Sequence, residues 1–83
     1  MNYLGKNVFI QTVTLYFTGK VVDETKKHYL LENAAWIADT GRFADALQEG
    51  VFSEVEPYPN PVTVMKSAIV SMIEIGDLPT KQK

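Results

Sequence analysis

The chain has 83 residues, no cysteine, one histidine, a formal net charge of −2 and a pI of about 5.2. That length holds one domain, 1–83, and the composition excludes disulfides, thiolate ligands and an intrachain zinc site of the usual kind. The mild acidity argues against tight, non-specific binding to nucleic acid, and no apolar run approaches the about 20 residues of a membrane-spanning helix.

Residues 8–22, "VFIQTVTLYFTGKVV", are rich in Val, Ile, Thr, Phe and Tyr and lack proline, which is strand composition. Val8 and Ile10 share one parity, whereas Val13, Leu15 and Phe17 share the other. A phase slip near Gln11-Thr12 therefore implies a bulge, a very tight turn or a strongly bent strand. Gly19 lies inside the pattern, where glycine marks a bend or a close approach of two backbones. "DETKK", 23–27, reads as a charged turn, and "HYLLENAAWIAD", 28–39, as the next strand.

The period then changes. Phe43, Ala46 and Leu47 stand at i, i+3 and i+4, which predicts a short helix over about 41–49 with those three side chains inward and Gly50 as its stop. "VFSEVEPYPNP" is a strand ending in a turn, because three prolines in five residues forbid a central strand. Residues 62–75 form one or two strands, interrupted by Lys66-Ser67, and "GDLPTKQK" is a polar tail. Short strands with one small helix predict an all-β domain, a small antiparallel barrel or sandwich.

Catalysis finds no constellation here. The single imidazole has no serine or cysteine partner nearby in sequence, and the glycines form no phosphate-binding loop. Asp23-Glu24 are adjacent acids in a polar turn, which reads as a solvated pair and not as paired catalytic carboxylates. No enzyme, cofactor or metal site is expected. Tyr16, Phe17, Trp36, Phe43 and Phe52 sit among apolar neighbours and read as core. Lys26, Lys27 and His28 form one basic turn, with Tyr29 beside it, and Lys66-Ser67 form a second. Taken singly, each is the composition of a solvated turn; brought to one side by the fold, they make a cationic site. Residues 39–56 carry five acids against Arg42 alone, a candidate docking surface for a protein partner.

Two stretches resemble the Sm/LSm-like superfamily. "GKVVDETKKHYLLENA", 19–34, is similar to its first block: a glycine in a bent strand, a hydrophobic residue two on, an acidic turn, then a leucine-acidic-small strand end. "VMKSAIVSMI", 64–73, resembles the second block in its bacterial Hfq-type version: an apolar pair, lysine, a polar residue, then Ala-Ile and a final strand. Together they cover about a third of the chain. The resemblance implies a small, strongly bent five-stranded antiparallel barrel, with the segment at about 41–49 as a short helical insertion. It also implies a homo-oligomeric ring of roughly five to seven subunits, in which the fourth strand of one copy pairs with the fifth of the next. The turns that line the pore and bind single-stranded, often U-rich RNA in that family fall here on Lys26, Lys27, His28 and Tyr29, and on Lys66 and Ser67. Lysine and histidine stand where the family usually carries asparagine or an aromatic, and Ser67 where histidine or arginine-glycine is common. A ring serving as a structural or protein-interaction module, without RNA, is the alternative. Because "MNYLGKNVF" lacks a signal-peptide pattern, the expected location is cytoplasmic. Self-association also fits the size, since so small a domain buries only about 60–65% of its unfolded surface.

Overall fold

The computed structural model describes residues 2–49 and 51–83. The strands are β1 (Asn7–Thr12), β2 (Tyr16–Glu24), β3 (His28–Asp39), β4 (Glu54–Pro57), β5 (Val62–Met65) and β6 (Ile69–Glu74). One helix, α1 (Phe43–Glu49), lies between β3 and β4, and a single 3₁₀ turn (Lys66–Ala68) joins β5 to β6. Gly50, the expected helix stop, lies outside the described residues.

All pairings are antiparallel, in the order β4-β3-β2-β1-β6, with β5 added to β3. The phase slip at Gln11-Thr12 is a tight turn: the Thr12 hydroxyl accepts from the Leu15 N–H at 3.0 Å and donates to the Leu15 carbonyl at 2.9 Å. β1 and β2 are thus two strands, where one bent strand was an open alternative. The architecture is a mostly-β, six-stranded antiparallel sheet with one short helix, neither closed nor strongly curled. The extra strand arises at the proline-rich turn. It separates β4 from β5, and each then pairs with a different half of β3: β5 with His28–Leu31, β4 with Ala35–Asp39.

A bulge makes that division possible. Opposite Gly19, β3 carries two residues, Asn33 and Ala34, between the pairs Lys20↔Glu32 and Thr18↔Ala35. Asn33 takes a left-handed conformation with φ 51°, which asparagine tolerates better than most residues. The bulge shifts the strand by one residue, so side chains exchange faces. Before it, Tyr29 and Leu31 join Val8, Ile10, Phe17, Val21, Ala34 and Val64 in one buried cluster. After it, Ala35 and Ile37 join Phe9, Ala46, Phe52, Val55 and Ile75 in a second cluster. β1 feeds both, with Val8 and Ile10 in one and Phe9 in the other, so it is buried on both sides. Gly19 is required here because a Cβ would lie 2.9 Å from the Leu31 Cβ.

Helix α1 covers the second cluster. Ala46 is fully buried and Leu47 partly so, as expected, but Phe43 keeps 45% of its surface exposed. Its ring meets Phe9 edge-on at 5.9 Å from the rim of the cluster, since Phe52 already stacks on Phe9 at 5.8 Å. Trp36, also expected in the core, is 38% exposed: its neighbours Ala35 and Ile37 take the second cluster, and no buried cluster includes Trp36 on the other face. The tail is partly structural, because Lys83 exchanges two backbone hydrogen bonds with Val55 on the outer edge of β4.

Two expectations follow for stability, both measurable by urea denaturation. Gly19→Ala should cost about 1–3 kcal/mol through overpacking on Leu31; Asn33→Val should cost a similar amount, roughly 1–3 kcal/mol, in backbone strain, whereas Asn33→Gly should not. The Thr18 hydroxyl is fully buried and has no hydrogen-bond partner. Thr18→Val, which removes that unsatisfied group at constant shape, should leave stability unchanged or raise it by about 1 kcal/mol.

Candidate nucleic-acid interface

The β2–β3 turn is organised by Thr25. Its hydroxyl accepts from the N–H groups of Lys27 and His28 at 3.2 and 3.1 Å, and its own N–H donates to the His28 carbonyl at 2.9 Å. These bonds close the turn, and the side chains of Lys26 and Lys27 are both exposed. Thr25 Oγ1 lies 3.2 Å from Nδ1 of His28, so the half-buried imidazole is already engaged by its own turn.

The second basic turn is the 3₁₀ turn at Lys66–Ala68, entered and left in extended conformation at Met65 and Ile69. It packs directly against the first. His28 pairs with Met65 at the end of the β3–β5 ladder, and the Lys66 N–H donates to the Lys27 carbonyl at 2.8 Å. Lys26, Lys27, Met65, Lys66 and Ser67 consequently border one shallow depression. About forty residues of sequence separate the turns; one backbone hydrogen bond joins them.

The electrostatics are less simple than the lysine positions. The Lys66 ammonium donates to Oε2 of Glu24 at 2.6 Å and sits 4.7 Å from the centroid of the Tyr29 ring. Both partners of this ion pair are about 30% exposed. Tyr29 itself is 9% exposed, belongs to the first core cluster and meets Tyr3 edge-to-face at 6.4 Å. The burial of the ring fits core packing, and a base could stack on it only if Lys66 moved aside. Around the turns three lysines stand against two carboxylates, Asp23 and Glu24, and the acids share a neighbouring depression with Thr25, Lys26 and Lys66.

The sequence presents Glu24 only as one of two adjacent acids in a polar turn, and its pairing with Lys66 is a finding of the structure. β2 runs on to Glu24, two residues into what reads as a charged turn, and pairs it with Tyr29 after an irregularity between Val21 and Asp23. That register sets the carboxylate beside Lys66. Only the strand composition of "GKVVDE" carried any hint of it.

The acidic segment 39–56 follows the half of β3 that pairs with β4, away from these turns. Asp45, Glu54 and Glu56 are exposed, while the Asp39 carboxylate accepts from the Gly41 N–H at 2.8 Å. Among the described residues no group of three acidic, histidine or cysteine side chains is placed to hold a metal ion, and no helix is long and apolar enough to cross a membrane. Comparison with models of known protein families, with curated proteins and with solved structures finds no match for this chain.

Proposed function

We propose that the chain is an Sm-like subunit that assembles into a homo-oligomeric cytoplasmic ring and binds single-stranded RNA at its paired basic turns. The observation that carries this reading is the hydrogen bond from Lys66 to Lys27, which fuses the two lysine-bearing turns into one surface. Among the described residues neither Lys26 nor Lys27 forms an ion pair, so both ammonium groups are free for phosphate. Ser67 is exposed beside them and adds a hydroxyl donor. With Tyr29 buried, His28 is the remaining aromatic at the site. Binding then rests on phosphate contacts more than on base stacking, with strong salt dependence and modest sequence preference.

Assembly is supported by the strand edges. Among the described residues β5 has a ladder with β3 alone and β6 with β1 alone, so each presents one open edge. Met65 on β5 and Val70 and Ile73 on β6 are large apolar residues left in water. Pairing β5 of one copy with β6 of the next satisfies both edges and covers those side chains. The sheet is open within one subunit; in this reading its edges are completed by neighbours. Repetition around a ring then multiplies a small local excess of positive charge.

The Glu24–Lys66 pair favours a second reading, in which the ring is a structural or protein-interaction module. One of the three lysines is already neutralised, the whole chain is acidic, and the exposed carboxylates of 39–56 become the docking surface.

Light scattering should return a mass that is a multiple of 9.3 kDa. Val70→Glu combined with Ile73→Glu should lower that mass and leave the fold intact, since both side chains are exposed. A well-folded monomer at micromolar concentration for the unmodified chain sinks the ring. For RNA, Lys26→Ala with Lys27→Ala should weaken binding to a U-rich oligonucleotide. The slope of log affinity against log salt should become shallower by about 0.7 for each phosphate that the variant no longer neutralises. If the unmodified protein retains no single-stranded RNA at low salt, the interaction-module reading replaces this one.

A further inference from the structure

Resting on the RNA-binding reading, we infer that Glu24 is a built-in competitor for Lys66, holding that cation in reserve until a phosphate chain displaces the carboxylate. The backbone places both members side by side. Glu24 is registered opposite Tyr29 at the end of β2, and Lys66 is tied through its N–H to the Lys27 carbonyl. The ammonium rests over the Tyr29 ring at 4.7 Å and meets Oε2 at 2.6 Å. Tyr29 is anchored in the core, so the lysine has a fixed seat. About 30% of each charged side chain remains open to solvent, which is enough for a phosphate to approach the ammonium from outside.

The free cations beside it decide what can open the pair. A lone phosphate that reaches Lys66 trades one anion for another and gains little. A strand whose neighbouring phosphates already lie on Lys26 and Lys27 brings its next phosphate to Lys66 at high local concentration, and the carboxylate yields. The device therefore discriminates a polyanion from a mononucleotide, and it sets the affinity lower than three free lysines give.

The test is Glu24→Gln, which keeps the shape and a carbonyl acceptor for Lys66 while removing the competing charge. Binding of oligo(U) and of uridine monophosphate is measured at several salt concentrations for four proteins. These are the unmodified chain, Glu24→Gln, Lys66→Ala and the double variant, each first checked for unchanged mass and thermal unfolding. Glu24→Gln should bind oligo(U) about two- to fivefold more tightly at low salt, with an unchanged salt slope, because Lys66 neutralises the same phosphate in both proteins once the carboxylate has yielded. The gain should vanish in the double variant. Binding by Glu24→Gln where the unmodified chain binds nothing overturns it, because the carboxylate then does not yield to a polyanion. If the unmodified chain binds RNA and Glu24→Gln binds it equally or more weakly, the competitor is overturned and the RNA reading stands. A gain that survives removal of Lys66 overturns it too, since the effect is then general charge. Should neither protein bind, both readings fall together. Equal strengthening toward uridine monophosphate overturns the discrimination between polyanion and mononucleotide.

Discussion

The rest of the fold depends on the bulge in β3 opposite Gly19. A regular 12-residue strand would send alternate side chains to two fixed faces and keep one partner on its free edge. Placing Asn33 in the left-handed region inserts one residue, exchanges the faces and redirects the strand. The first half then supports β5 and one core cluster; the second supports β4 and the other. The crowding of Gly19 against Leu31 is the counterpart on β2, where the backbones come too close for any Cβ. Without this local irregularity β5 has no ladder, and the 3₁₀ turn does not reach the lysines of the β2–β3 turn.

The site that results is defined by backbone and conditioned by charge. Two turns joined through Lys66 and Lys27 supply a rigid platform, and the aromatic ring beneath it is sealed into the core. A surface of this kind recognises spacing between charges better than it recognises a base. In the RNA-binding reading proposed above, the carboxylate of Glu24 would weaken the site and give it a threshold.

Much of the fold was legible in the residues. β3 is visible end to end as "HYLLENAAWIAD", because aromatic and aliphatic side chains bounded by a charged turn and a glycine leave no other period. The tight turn at Thr12–Leu15 announced itself by the parity change between Ile10 and Val13. The bulge left the same kind of trace, since Leu31 and Ile37 share a parity yet enter different clusters; a single asparagine before a pair of alanines gave it no emphasis. The aromatic residues were over-assigned to the core. Phe43 and Trp36 remain half-exposed because a domain of this size encloses too little volume for every large side chain. The Glu24–Lys66 contact spans 42 residues of separation and depends on a strand register. No local pattern encodes such a pair. Turn composition named Lys26, Lys27, Lys66 and Ser67, but their shared depression comes from the β3–β5 register, and the burial of Tyr29 likewise depended on long-range packing.

The 3₁₀ turn between β5 and β6 has a consequence in time as well as in space. β1, β2 and β3 are neighbours in sequence and can form as a three-stranded meander through two short turns. The β5–β6 segment ties the two outer strands of that meander together, β3 at one end and β1 at the other, across most of the length of the chain. Closing so long a loop is entropically expensive, and the interactions that reward it come only when the whole segment has docked. The segment that carries Lys66 is thus placed to join the structure last on folding and to leave it first on unfolding. In this chain the half of the platform that carries Lys66 is also the half held by pairings of large sequence separation.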